Sequence, residues 1–88
     1  MDGHSIVSKK LKDKNTLHCM NLIESIDGVE RTYSYLLLET KYKTIIFPNK
    51  QYYKEFRAEE VFEWYNNIDS LEEMKALTNE IYLTRLKE

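Results

Sequence analysis

The sequence predicts an α+β domain, a four-stranded antiparallel β-meander followed by two C-terminal α-helices packed on one face. Three observations carry this. Asp27-Gly28 lies between two long runs rich in β-branched and aromatic residues, an apolar run at strand spacing continues as far as Pro48, and beyond Pro48 the apolar spacing changes to three and four. Strands are expected within residues 5–48 and helices within 51–87, as a single domain spanning 1–88.

The first strand is read in "HSIVSKKLKDKN", ahead of a turn at residues 12–15. Its lysines suit an edge strand, where charge discourages pairing with another chain. The second and third strands flank Asp27-Gly28, because both residues tolerate the positive φ of a type I′ turn. A two-residue turn sets the register: Ile26 faces Val29, then Glu24 faces Arg31, Leu22 Tyr33, Met20 Tyr35 and His18 Leu37. This odd-numbered face of the third strand is mostly apolar and reads as the core side. The even-numbered face starts polar, with Ser25/Glu30, Ile23/Thr32 and Asn21/Ser34, and ends apolar, with Cys19/Leu36 and Leu17/Leu38. A fourth strand, "YKTIIFPN", sets Leu38 beside Ile45 and Leu36 beside Phe47 if the loop has two or four residues. A bulged three-residue loop would bring Ile46 to that face instead.

The first helix carries Val61, Trp64, Tyr65 and Ile68 on one stripe, with Glu59, Glu60 and Glu63 off it. Its start, near Gln51 or near Ala58, is left open. The second is announced by Ser70 and Glu73 at capping-box spacing, with Leu71, Met74, Leu77 and Ile81 following at helical intervals.

Composition bounds the function. A chain of 88 residues with 42% hydrophobic residues, two glycines and one proline is long enough for one small core and too ordered in composition for a disordered segment. No apolar run reaches the ~20 residues of a membrane span, and "MDGHSIVSKK" holds no hydrophobic signal core. The single Cys19 cannot form an internal disulfide, so a reducing, cytoplasmic setting is expected. Richness in Lys, Asn, Ile, Tyr and Glu is the usage of an AT-rich genome, such as that of a low-GC bacterium or its phages. Charge is uneven: residues 1–57 hold ten Lys/Arg against seven Asp/Glu, and residues 58–88 three against eight.

Chemistry-bearing motifs are few. His18 and Cys19 are adjacent on a strand and point to opposite faces, so they form neither a thiolate–imidazole pair nor a shared metal site. The glutamates of the helices read as a solvated face that favours the first helical turns. No glycine-rich phosphate loop is present. No catalytic, cofactor or metal residues are therefore expected, and the chain is read as non-enzymatic.

Two short helices cover one face of a four-stranded sheet, and the apolar end of the other is left for a partner. The leading expectation is a small protein-binding regulatory or accessory protein, phage- or prophage-encoded in origin. It would self-associate as a homodimer, or bind a host protein, through Leu17, Leu36, Leu38, Ile45 and Phe47. The competing packings are helices splayed to both faces, or "KQYYKEF" folded over the far face. The alternative function is nucleic-acid binding through Lys9, Lys10, Lys12, Lys14, Lys41 and Lys43, with Tyr33, Tyr35 and Tyr42 nearby. Against it, a nucleic-acid binder is usually basic and this chain is not.

Overall fold

A computed structural model describes residues 3–87, with side chains described through residue 84. Strands β1 (Gly3–Lys10), β2 (Thr16–Ile26), β3 (Val29–Glu39) and β4 (Thr44–Phe47) form one antiparallel sheet in that spatial order. Helices α1 (Ala58–Asn67) and α2 (Leu71–Lys87) follow. The meander and the two C-terminal helices are those the sequence predicts, with β1 starting two residues before residue 5 and α1 starting at Ala58 rather than near Gln51.

The turn chemistry explains the register. Asp27 and Gly28 take φ of 53° and 79°, the type I′ signs, and all the β2–β3 pairs run from Ile26↔Val29 to Thr16↔Glu39. The β3–β4 loop has four residues, closed by Thr40, whose amide donates to the Lys43 carbonyl at 2.9 Å and whose Oγ1 accepts the Lys43 amide at 3.0 Å. Leu38 thus pairs with Ile45 and Leu36 with Phe47.

The helices lie on the even-numbered face of β3, which corrects the expected core side. Leu17, Cys19, Leu36 and Leu38 are 0% exposed and pack in one cluster with Val61, Tyr65, Ile68 and Met74. Ile45 and Phe47 pack against the same cluster. The residues expected to face a partner are therefore the domain's own core, and the face expected to be covered has no helix on it. The reason lies in where the sheet is four strands wide. There the even face reads Leu17/Leu38/Ile45 and Cys19/Leu36/Phe47 across β2–β4, while the odd face reads Thr16/Glu39/Thr44 and His18/Leu37/Ile46. Helices settle where the apolar side chains are contiguous across several strands. Nearer the hairpin tip the even face carries Ser34, buried beneath the fold, whose hydroxyl donates to Asn21 Oδ1 at 2.6 Å.

Residues 48–57 leave the sheet at Pro48 and pass beside β3 beyond the end of β4. A 3-10 turn at Tyr53–Glu55 sends its two aromatic neighbours to opposite faces. Tyr53 meets the Tyr33 ring edge-on at 5.5 Å and lies 6.2 Å from Tyr35 on the open face, whereas Phe56 packs at 5.3 Å on Trp64 and 6.2 Å from Phe47 on the core side. This segment partly takes the covering role that the sequence allows for "KQYYKEF".

A second long-range contact seats the helices. Leu11 is buried in the core, and the turn after it places Asp13 at the start of α2, where Oδ2 accepts the Leu71 amide at 2.7 Å and Oδ1 accepts the Asn15 amide at 3.1 Å. The Lys12 amide donates to the Asp69 carbonyl at 3.0 Å. Ser70 completes the cap, accepting the Glu73 amide at 3.2 Å. The Leu71 amide, first among these partners, holds the Asp13 carboxyl below the usual aspartate range.

Two predictions test this arrangement. Leu36→Ala should cost about 2–5 kcal/mol by opening a core cavity, against about 1 kcal/mol for Leu37→Ala on the open face, both read from urea unfolding of dilute protein. Asp13→Ala should lower the thermal midpoint at neutral pH. A carboxyl with a depressed folded pKa contributes stability above its unfolded value and loses it as pH falls through the folded one. The gap between wild type and Asp13→Ala, followed by circular dichroism melts, should therefore close below pH ~4.

Candidate functional site

The face left open by the helices is the candidate site. By register its rows, from the β4 end toward the hairpin tip, are Lys10/Thr16/Glu39/Thr44, Ser8/His18/Leu37/Ile46, Ile6/Met20/Tyr35, His4/Leu22/Tyr33, then Glu24/Arg31 and Ile26/Val29. Ile6 is 47% exposed and Ile46 42%, and Met20, Leu22 and Leu37 are half-buried. Tyr35 is buried because Tyr53 leans on it. The result is an apolar band crossing all four strands, from Ile6 through Met20 and Leu37 to Ile46.

Charged groups sit on both sides of the band, at the two ends of the face along the strands. At one end Lys10 Nζ donates to Thr16 Oγ1 at 3.3 Å, beside Glu39. At the other, Lys54 forms an ion pair with Glu24 at 3.4 Å and lies 5.4 Å above the Tyr33 ring. Glu24 accounts for the upward shift of the Lys54 ammonium. Each end thus carries both signs, with Arg31 and Glu24 side by side on neighbouring strands.

A polar row runs alongside the band. The Ser8 hydroxyl lies 2.6 Å from His18 Nδ1, and His18 Nε2 lies 2.7 Å from Glu39 Oε1. An ionised carboxylate only accepts, so Nε2 carries a proton, and in the neutral ring Nδ1 accepts from Ser8. Hydroxyl, imidazole and carboxylate follow the order of a nucleophile relay. Acyl transfer also needs a concave site and donors aimed at a developing oxyanion. Ser8 is exposed on a sheet surface, and the main clefts among the described residues are lined by other side chains. What the row does is tie three strands together. Ser8 is not legible in the sequence because its meeting with His18 depends on the β1–β2 register, which no short turn signals, and Glu39 is reached only diagonally across β2–β3.

Cys19 is on the other face, sealed in the core, and burial pushes its thiol up to about 11. It is a packing residue with no appreciable thiolate at neutral pH. Burial likewise raises the Tyr65 phenol. Among the described residues no group of three or more His, Cys, Asp or Glu is placed to hold a metal ion, and no helix is long and apolar enough to cross a membrane.

The lysines considered for nucleic acid do not converge. Lys9 turns toward the helices, with Nζ 4.9 Å from the Tyr65 ring and 3.4 Å from the Asn66 carbonyl, while Lys10 points to the opposite face. Lys12 reaches toward Asp69 at 4.0 Å, Lys14 holds the left-handed position of its turn, and Lys41 lies 5.7 Å above the Tyr42 ring. Lys43 adjoins the exposed edge strand β4.

A second concavity lies at the β4 edge. A cleft of about 770 Å3 opens between β4 with its following loop and α2, its walls including Ile45, Phe47, Tyr52, Met74, Ile81 and Tyr82. Comparison with family models, with curated proteins and with solved structures finds no match for this chain.

Proposed function

We propose that this chain is a small non-enzymatic protein-binding protein that self-associates through the open face of its sheet, and acts as an accessory or regulatory subunit of a larger process. The observation that supports the reading is the apolar band Ile6–Met20–Leu37–Ile46, which crosses all four strands and is covered by no other part of the described chain.

Size and charge favour a second copy as its occupant. Strands ~4.8 Å apart rising ~3.3 Å per residue give a face of roughly 500 Å2 per copy, so about 1,000 Å2 in all, the lower bound of specific interfaces. Two such sheets pack ~10 Å apart with strands nearly aligned. A two-fold axis lying between the sheets and running across the strands brings each end of one face onto the other end of its mate, where Lys10 and Glu39 meet Glu24 and Arg31. Each end carries both signs and can match the other. The acidic outer faces of the helices, with Glu59, Glu60, Glu63, Glu72 and Glu73 exposed, lie away from this contact and keep like charges apart.

An interface of that area dissociates on dilution. Sedimentation velocity across a concentration series should show a reversible monomer–dimer equilibrium, and Met20→Asp/Leu37→Asp should be monomeric throughout while keeping the wild-type far-ultraviolet spectrum. A wild type that stays monomeric at the highest attainable concentration would overturn the reading.

A further inference from the structure

We propose that the cleft between β4 and α2 is a docking site for an extended segment of another protein, which adds a fifth strand to the sheet at β4 and carries acidic residues beside apolar ones. This surface is separate from the open face, although Ile46 borders both. Three features combine here.

The first is backbone chemistry. β4 is the last strand of the sheet and pairs only with β3, so its outer edge presents main-chain donors and acceptors without ladder partners among the described residues. Only an extended polypeptide satisfies such a row in register. Within β4, "TIIF", no charge or proline interrupts the edge.

The second is the shape and lining of the cleft. A wall of α2, with Met74, Thr78, Ile81 and Tyr82, stands opposite Ile45 and Phe47. A strand laid along β4 would send alternate side chains into this apolar space, and the other set outward. Thr78 does not compete for the ligand, since its hydroxyl donates to the Met74 carbonyl at 2.8 Å.

The third is charge. In a chain of net charge −2, Lys43 and Lys50 bracket β4 in sequence and Lys75 lines the helix wall, three cations against the one acidic lining residue, Glu55. None of the three is in an ion pair among the described residues. A second copy offers the same basic rim to itself, which is unfavourable, whereas an acidic-flanked apolar segment matches it.

The test is selection from a displayed library of random peptides on the full chain, followed by synthesis of one enriched peptide with a fluorescent label. Enriched sequences should alternate apolar residues and carry Asp or Glu beside them. Anisotropy titrations should show affinity falling about tenfold or more for Tyr82→Glu, and falling likewise for Lys43→Glu/Lys75→Glu. Leu37→Asp, on the open face, should leave affinity unchanged, which separates this site from the self-association surface. On binding, the β4 amides should gain protection from hydrogen exchange. Absence of enrichment, unprotected β4 amides in the complex, or loss of binding in Leu37→Asp but not in Tyr82→Glu would overturn the proposal. So would a wild-type dimer that Tyr82→Glu dissociates and Leu37→Asp does not, because a second copy would then fill the cleft.

Discussion

Leu17, Leu36 and Leu38 lie side by side on β2 and β3 with no exposed surface, and Val61, Tyr65 and Met74 close over them. The rest of the molecule follows from that contact. It holds the face whose apolar rows, Leu17/Leu38/Ile45 and Cys19/Leu36/Phe47, run unbroken across β2, β3 and β4, and α1 and α2 pack on that face. The dependence runs both ways, since α1 and α2 each bury one stripe and have no other core to bury it in. Asp13 and Leu11 reinforce the seat by tying the far end of β1 to the start of α2.

With the helix layer committed to one side, the other side is left with whatever the strands carry. On β2 and β3 that is not a solvated polar face: Met20, Leu22 and Leu37 alternate with residues already spent on the core. The chain softens this with Tyr53 and Lys54 over the tyrosines and with the Ser8–His18–Glu39 row alongside the band. Neither covers the band from Ile6 to Ile46. The edge of β4 is a separate consequence. A four-residue strand beside an eleven-residue partner leaves room for residues 48–57 to pass around the sheet, and leaves α2 standing off β4 with a cleft between them.

Much of this was legible in the sequence. Asp27-Gly28 alone determines eleven cross-strand pairs, Ser70 and Glu73 mark the start of α2, and Val61, Tyr65, Ile68 and Met74 are buried with Leu71 packed against them. The two sides of the sheet were assigned the wrong way round. Summed along the whole hairpin the odd face is the more apolar, yet helices respond to area across strands, and only the half nearest β4 is wide. Tyr53 and Phe56 could not be placed because a 3-10 turn of three residues has no period to read. Asp13 capping Leu71, 58 residues away, joins two loops whose proximity is a product of the fold, and the Ser8–His18–Glu39 row likewise needs three strands in register before it exists.

The most direct measurement is solvent relaxation of side-chain methyl signals by a soluble paramagnetic probe, in dilute and in concentrated protein. Leu17, Leu36 and Leu38 should be shielded at both concentrations, while Ile6, Met20, Leu37 and Ile46 should be strongly relaxed when dilute and shielded when concentrated. Equal relaxation of the second set at every concentration, or probe access to the first, would contradict the assignment of one face to the helices and the other to a second molecule.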